Sequence, residues 1–225
     1  MFKSSKKNLL IVQPHSDDVI FSVSEFVKRR GEFKRAIILT VEYNEKRLEE
    51  DRQFCLEHDF ELMVLKTKVS SENFHKEYYS DKKLMSDDSA WDFCLGKIGE
   101  KKMEKLANEL DLTLSNMSDK FLIITCLGVG HPFHWLTRML TQDNSDLFYR
   151  DFPHSYKRRN KEYFVGLTNT EFKLSFSASI HPKKGSWLKF DQVKQFYKSQ
   201  SSLLFFEKGY MDKMLPEEYY EKVEN

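Results

Sequence analysis

Cysteine is scarce in this chain, and its scarcity excludes a disulfide-stapled scaffold. The three present, Cys55, Cys94 and Cys126, are an odd number at wide spacing. They read as reduced, buried small hydrophobes, and the protein as intracellular, with the cytoplasm as its expected location. A charge excess of one sign is missing too: 36 basic and 35 acidic side chains leave a net charge of +1. No overall field draws such a chain to nucleic acid or to an anionic membrane, so neither is an expected partner. Long apolar runs are absent near the start, where only Leu9-Leu10-Ile11-Val12 stands before Gln13. That run is too short for a signal sequence and far too short to span a bilayer. No internal repeat and no low-complexity linker divides the 225 residues, which suffice for one domain spanning 1–225 with a substantial core.

What the chain does have is alternation. Apolar, β-branched runs predict strands at 8–13, 34–41, 60–66 and 120–126, and the segments between them predict helices at about 20–30 (closed by Gly31), 44–58 and 97–116. Residues 67–90 are polar and irregular and suit a flap or a helix-loop excursion. A helix is expected at 135–142, then short strands and loops over 146–180 that end in the alternating Phe172-Lys173-Leu174-Ser175-Phe176-Ser177, then helices at about 189–206 and 215–223. The βαβαβ order predicts an α/β fold: a Rossmann-like three-layer sandwich with a mostly parallel central sheet and its chemistry at the C-terminal ends of the strands.

Two motifs stand at such strand ends. Pro14-His15-Ser16-Asp17-Asp18 follows the first run directly. A histidine and an aspartate three positions apart share a focus where the backbone turns, and zinc accepts that mixed nitrogen and oxygen set. The same residues also read as a helix cap, because Ser and Asp favour N-caps and carboxylates suit a helix N-terminus. Further on, Lys120–Cys126 runs into Leu127-Gly128-Val129-Gly130 and then His131-Pro132-Phe133-His134. If the two strands lie side by side, His15, Asp18 and one of the two later histidines give three ligands with an open fourth position, the layout of a catalytic zinc site.

With these residues the chain resembles the PIG-L (LmbE-like) N-deacetylases, metal-dependent enzymes that remove acetyl groups from amino sugars and their conjugates. The family's first motif, Pro/Ala-His-Pro-Asp-Asp-Glu, stands here as Pro14-His15-Ser16-Asp17-Asp18-Val19, and its late Gly-x-His-Pro-Asp-His as Gly128-Val129-Gly130-His131-Pro132-Phe133-His134. Arg47-Leu48-Glu49-Glu50 matches its Arg-x-x-Glu, Lys194–Gln200 resembles its Lys-x-x-x-Tyr-x-Ser-Gln with one residue fewer between Lys and Tyr, and Phe148–Pro153 looks like its Tyr-Glu-Asp-Leu-Pro stretch. The motifs keep the family order from residue 9 to about 205.

The resemblance implies one Zn2+ per chain on His15, Asp18 and His134, with Asp17 as general base and His131 beside the developing oxyanion. It implies that Arg47 reaches toward the substrate, a small-molecule N-acetyl sugar or glycoconjugate; a surface pair with Glu50 or Asp51 is the other reading of Arg47. Asp17 as a plain helix cap and His131 as a loop histidine are the corresponding plain readings. Two departures bear on this: Val19 replaces the family Glu, and Phe133 replaces the Asp between the late histidines, removing an acceptor that orients a ligand imidazole. A non-catalytic carbohydrate-binding paralogue with a vestigial metal site is the alternative those changes suggest. Phe133 and Trp135 are candidates for a wall against a sugar ring or for core packing. His58, His75, His154 and His181 lack a partner at ligand spacing and read as surface or loop residues.

Overall fold

Leu9–Val12 are apolar at every position because the strand they form is covered on both faces. In the computed structural model, which describes residues 6–71, 74, 87–152, 154–157, 160–178, 191–200 and 216–223, this strand is β1 (Asn8–Gln13), an interior strand of a seven-stranded sheet of order β3-β2-β1-β4-β5-β7-β6. β2 (Arg35–Glu42), β3 (Glu61–Val69), β4 (Phe121–Cys126) and β5 (Leu147–Tyr149) join β1 in parallel, with Leu10 opposite both Ile37 and Ile123. β6 (Phe172–Ala178) and β7 (Glu217–Lys222) complete the sheet antiparallel.

Side chains alternate across this sheet with the strand period of two. Leu9 and Ile11 meet one set of helices: α1 (Asp18–Ser22), α2 (Ser24–Lys28) and α3 (Glu45–Glu57). Leu10 and Val12 meet another: α4 (Asp87–Ile98), α5 (Glu100–Ser115) and α6 (Pro132–Thr141). A third apolar cluster packs α7 (Lys161–Thr170) on β5, β6 and β7 through Phe148, Phe164, Leu167, Phe172 and Tyr220. The predicted α/β class, parallel core and three-layer arrangement are therefore present. The order runs outward from β1 to β3 and then crosses to β4 on the other side, so the switch point of the sheet lies between the C-terminal ends of β1 and β4.

Four element assignments differ from expectation. Residues 217–222 are a strand and not part of a helix; Tyr219 and Tyr220 point to opposite cores, an alternation that a helix could not give. The helix expected at 20–30 begins at Asp18, breaks at Val23 into α1 and α2, and ends in a short 3-10 turn, with no helix cap at Gly31. The helix expected from 97 is two helices that meet at Gly99, whose φ of 84° suits glycine alone. Finally, α7 lies inside a region expected to hold only strands and loops. Most of the polar stretch after residue 71 and of the last expected helix past residue 200 falls outside the described residues; within the latter, residues 191–196 are helical.

Candidate metal centre

Strand ends on both sides of the switch point build the site. β1 delivers His15 through Pro14, β2 ends at Glu42, β4 leads through a loop to His131, and Asp151 follows β5. The loop 127–130 turns on Gly128 and Gly130, with φ of 77° and 84°. A Cβ on Gly130 would overlap the Asn160 amide and meet His154 Cβ at 3.1 Å, so a side chain there would displace the loop that presents His131. Pro132 then occupies the first turn of α6, where its missing N–H costs nothing.

Three donor atoms converge. His15 Nδ1 lies 3.0 Å from His134 Nε2, and Asp18 Oδ2 lies 3.5 Å from each of them. All three residues are buried, and the His15 backbone N–H, donating to Asp18 Oδ2 at 2.8 Å, fixes the carboxylate. A tetrahedral zinc with bonds of about 2.0–2.1 Å holds its donors roughly 3.3 Å apart, inside the observed range. The residues present therefore fit a divalent cation. His131 also lies close, with its ring nitrogen within 4.8 Å of those of His15 and His134.

Hydrogen-bond partners separate the roles of the two late histidines, which their spacing left equivalent. His134 Nδ1 sits 2.7 Å from Asp151 Oδ1. An ionised carboxylate only accepts, so the neutral ring carries its proton on Nδ1 and turns its Nε2 lone pair toward His15 and Asp18. His131 is the reverse: its Nδ1 accepts from the Phe133 N–H at 3.2 Å, capping α6, so the neutral ring carries its proton on Nε2. In their neutral forms His134 thus offers a lone pair toward His15 and Asp18, while His131 carries a donor N–H. Cys126 with His134 and Asp151 forms a second close group, but burial pushes the Cys126 thiol well up and Asp151 is engaged by His134, so that group lacks a ready anionic sulfur.

Asp17 occupies the N-cap position of α1, yet its side chain makes no capping hydrogen bond. Its φ of 98° is unusual for a residue with a side chain, a strain that concentrates at functional sites. Burial, reinforced by the neighbouring Asp18, pushes its carboxyl well up. Burial also acts upward on Asp18, but the charge of His134 and the hydrogen bonds from His15 prevail and hold it below the usual carboxylate range. Adjacent carboxylates are thus driven apart in proton affinity. Arg47, in the first turn of α3, has Nη1 3.3 Å from the buried Glu42. The partners offered within its own helix are engaged elsewhere: Glu50 accepts from Ser199, and Asp51 is buried in another network.

Some residues belong to the site or its support without having been singled out as such in the sequence. His154 is not remote: its ring lies 4.9 Å from that of His134 and 5.6 Å from that of His131. Nothing in its sequence spacing marks it. Asp151 did have a signal, an acidic residue just past a strand inside the matched Phe148–Pro153 stretch. Glu42, the last residue of an apolar strand, carried a weaker one. Phe133 and Trp135 are core residues, at most 4 % exposed, and offer no wall to a sugar. His58 packs on Phe54 with ring centres 4.4 Å apart, while His75 and His181 lie outside the described residues.

No family model and no curated protein sequence matches the chain. Solved structures do. A deacetylase of teicoplanin biosynthesis, in complex with teicoplanin, is 16 % identical with a TM-score of 0.58, covering 97 % of this chain and 100 % of that one. The zinc-inhibited form of the teicoplanin deacetylase Orf2 is 16 % identical with a TM-score of 0.56, covering 96 % and 97 %. The N,N'-diacetylchitobiose deacetylase of Pyrococcus horikoshii is 11 % identical with a TM-score of 0.54, covering 97 % and 84 %. At these identities the likeness is one of fold. Among the described residues, no helix is long and apolar enough to cross a membrane.

Proposed function

We propose that the chain is a zinc-dependent hydrolase that removes an N-acetyl group from an amino sugar or glycoconjugate. The observation that carries this reading is the convergence of His15 Nδ1, Asp18 Oδ2 and His134 Nε2 within 3.0–3.5 Å at the switch point of the sheet. The motif order shared with the PIG-L deacetylases and the likeness of fold to deacetylases of sugar-related substrates support it.

His15, Asp18 and His134 would hold the ion. When bound, it supplies Lewis acidity that brings the pKa of water to about 7 and polarises the acetyl carbonyl. Asp17, its carboxylate not used in capping, takes the proton of the attacking water and returns it to the leaving amine. His131, with Nδ1 held by the Phe133 N–H, directs Nε2–H at the developing oxyanion. Arg47 donates to substrate hydroxyls through its guanidinium fork. The departures at Val19 and Phe133 leave this machinery in place: both side chains are core residues at 0 % exposure, and Asp151 provides the acceptor for His134.

The test is acetate release from a panel of N-acetyl sugars, free, nucleotide-linked and lipid-linked, with and without chelator. Chelator-sensitive release is expected from at least one member. Asp17→Asn should keep the metal and lose on the order of 10²–10⁴ in rate. Near-normal turnover by that variant would reduce Asp17 to a structural residue, and glycan binding without release by the metal-loaded protein would replace the hydrolase by a binding protein.

A further inference from the structure

Glu42 ends β2 as a buried carboxylate, 2 % exposed, next to the loop that carries His15: its own N–H donates to the Pro14 carbonyl at 2.9 Å. Both of its oxygens are engaged. Oε1 accepts from the Ser71 backbone N–H at 3.2 Å and from the Ser71 hydroxyl, and Oε2 faces Arg47 Nη1 at 3.3 Å. Ser71 is itself fully buried, so Glu42 cannot turn from Arg47 without leaving hydrogen bonds unmade. Arg47 is fixed at its root, where its N–H donates to the capping Asn44 side chain at 3.2 Å. Its side chain stays about one-fifth open, at 22 %.

We propose that Glu42 is a specificity-determining residue: by holding Arg47 in an ion pair next to the loop that carries His15, it turns that cation into a neutral hydrogen-bonding fork, which selects an uncharged polyhydroxyl substituent on the substrate over a phosphate or carboxylate. The identity of the substrate as an amino sugar and the place of Arg47 at that substrate both rest on the reading above. A guanidinium has five N–H donors, and pairing with one carboxylate removes its net charge without removing that donor character. An anion that claimed Arg47 would meet the carboxylate of Glu42, and would strip a buried Glu42 of its counter-charge. Rejection by an opposed charge is the usual device where attraction alone does not discriminate.

Inorganic phosphate, titrated by calorimetry into the metal-loaded full chain, is the probe. Glu42→Gln keeps the shape of the side chain and frees the charge of Arg47. It should bind phosphate at least about tenfold tighter than the natural protein, and the gain should vanish in Glu42→Gln combined with Arg47→Ala. No gain in a folded Glu42→Gln protein, or a gain that survives the loss of Arg47, overturns the proposal. Should Glu42→Gln fail to fold, Arg47→Ala alone decides: unchanged phosphate affinity supports a neutralised arginine, and a tenfold loss shows that Arg47 is already an anion site. None of these readouts uses acetate release, so failure of the hydrolase reading and failure of this one are separately visible.

Discussion

His134 shows how one contact assigns a residue its work. Its Nδ1 is held at 2.7 Å by Asp151, whose other oxygen accepts from the Val129 N–H at 3.2 Å. The carboxylate therefore fixes both the ring and the loop behind it. Carboxylates in this position orient a ligand imidazole and raise its basicity, and their loss typically lowers metal affinity about 10–100-fold. Asp151→Asn should show that loss in a calorimetric zinc titration while the fold is kept; unchanged affinity would dismiss the orienting role. Phe133 is not free to take over that task. Its ring packs between His15 at 5.4 Å and Phe74 at 5.7 Å, so a carboxylate there would be buried in a core.

Among the elements, β7 explains itself through Glu217. The segment Glu217-Glu218-Tyr219-Tyr220 is rich in helix-forming glutamate, yet Glu217 is buried and reaches the start of α2. There it accepts from the Ser24 N–H at 3.0 Å, from the Ser24 hydroxyl and from the Glu25 N–H at 2.9 Å, while Tyr219 OH donates to it at 2.9 Å. A side chain 193 positions away thus supplies the cap that Val23 cannot. Glu217→Ala should destabilise the protein by about 2 kcal/mol in urea unfolding, because orphaned N–H groups at a helix start add to the lost cap. A change under about 0.5 kcal/mol, the size of an ordinary surface substitution, would mean that water replaces the carboxylate. The edge strand β3 has a similar guard: Glu109 of α5 accepts from the N–H groups of Lys66 and Thr67 at 2.6 and 2.8 Å, which blunts an edge open to pairing. In α7, Thr168 and Thr170 donate to carbonyls four residues back, a local solution that lets weak helix formers sit in a helix.

Across the whole molecule, Asp51 links parts that the sequence keeps far apart. Its carboxylate accepts from Gln13 of β1 at 3.1 Å, from Ser16 in the loop between His15 and Asp17 at 2.7 Å, from Thr40 of β2 at 2.7 Å and from Tyr197 at 2.8 Å. Burial raises its pKa from the usual carboxylate value to about 6, against the pull of those donors. The folded state thus holds this proton more tightly than the unfolded chain does. Its contribution to stability is fully present below about pH 4 and is lost as pH rises through about 6, an effect on the order of 3 kcal/mol. Measured against Asp51→Asn, which cannot ionise, the natural protein should lose relative stability between pH 4 and 7 in urea unfolding. A parallel pH dependence of the two proteins would show that Asp51 titrates normally.

The sequence by itself determined the layers and the strand ends at which the histidines and aspartates gather. Strands buried on both faces must be apolar at every position, and parallel strands need helical crossovers, so the runs at 8–13, 34–41 and 120–126 announced an α/β sheet whose loops carry His15, Asp18, His131 and His134. Local signals of that kind survive in one dimension because they reflect the period of the element itself. Only the tertiary structure decided which late histidine meets Asp151, that Asp17 does not cap its helix, that Arg47 answers to Glu42, and that residues 217–222 form a strand. Each of these depends on a partner distant in sequence or on a backbone angle no propensity encodes: Asp151 for His134, a φ of 98° for Asp17, and the two flanking strands β5 and β6 for β7. The free energy of such contacts lies in desolvated pairs brought together by folding, and a linear pattern carries no record of which pairs will meet.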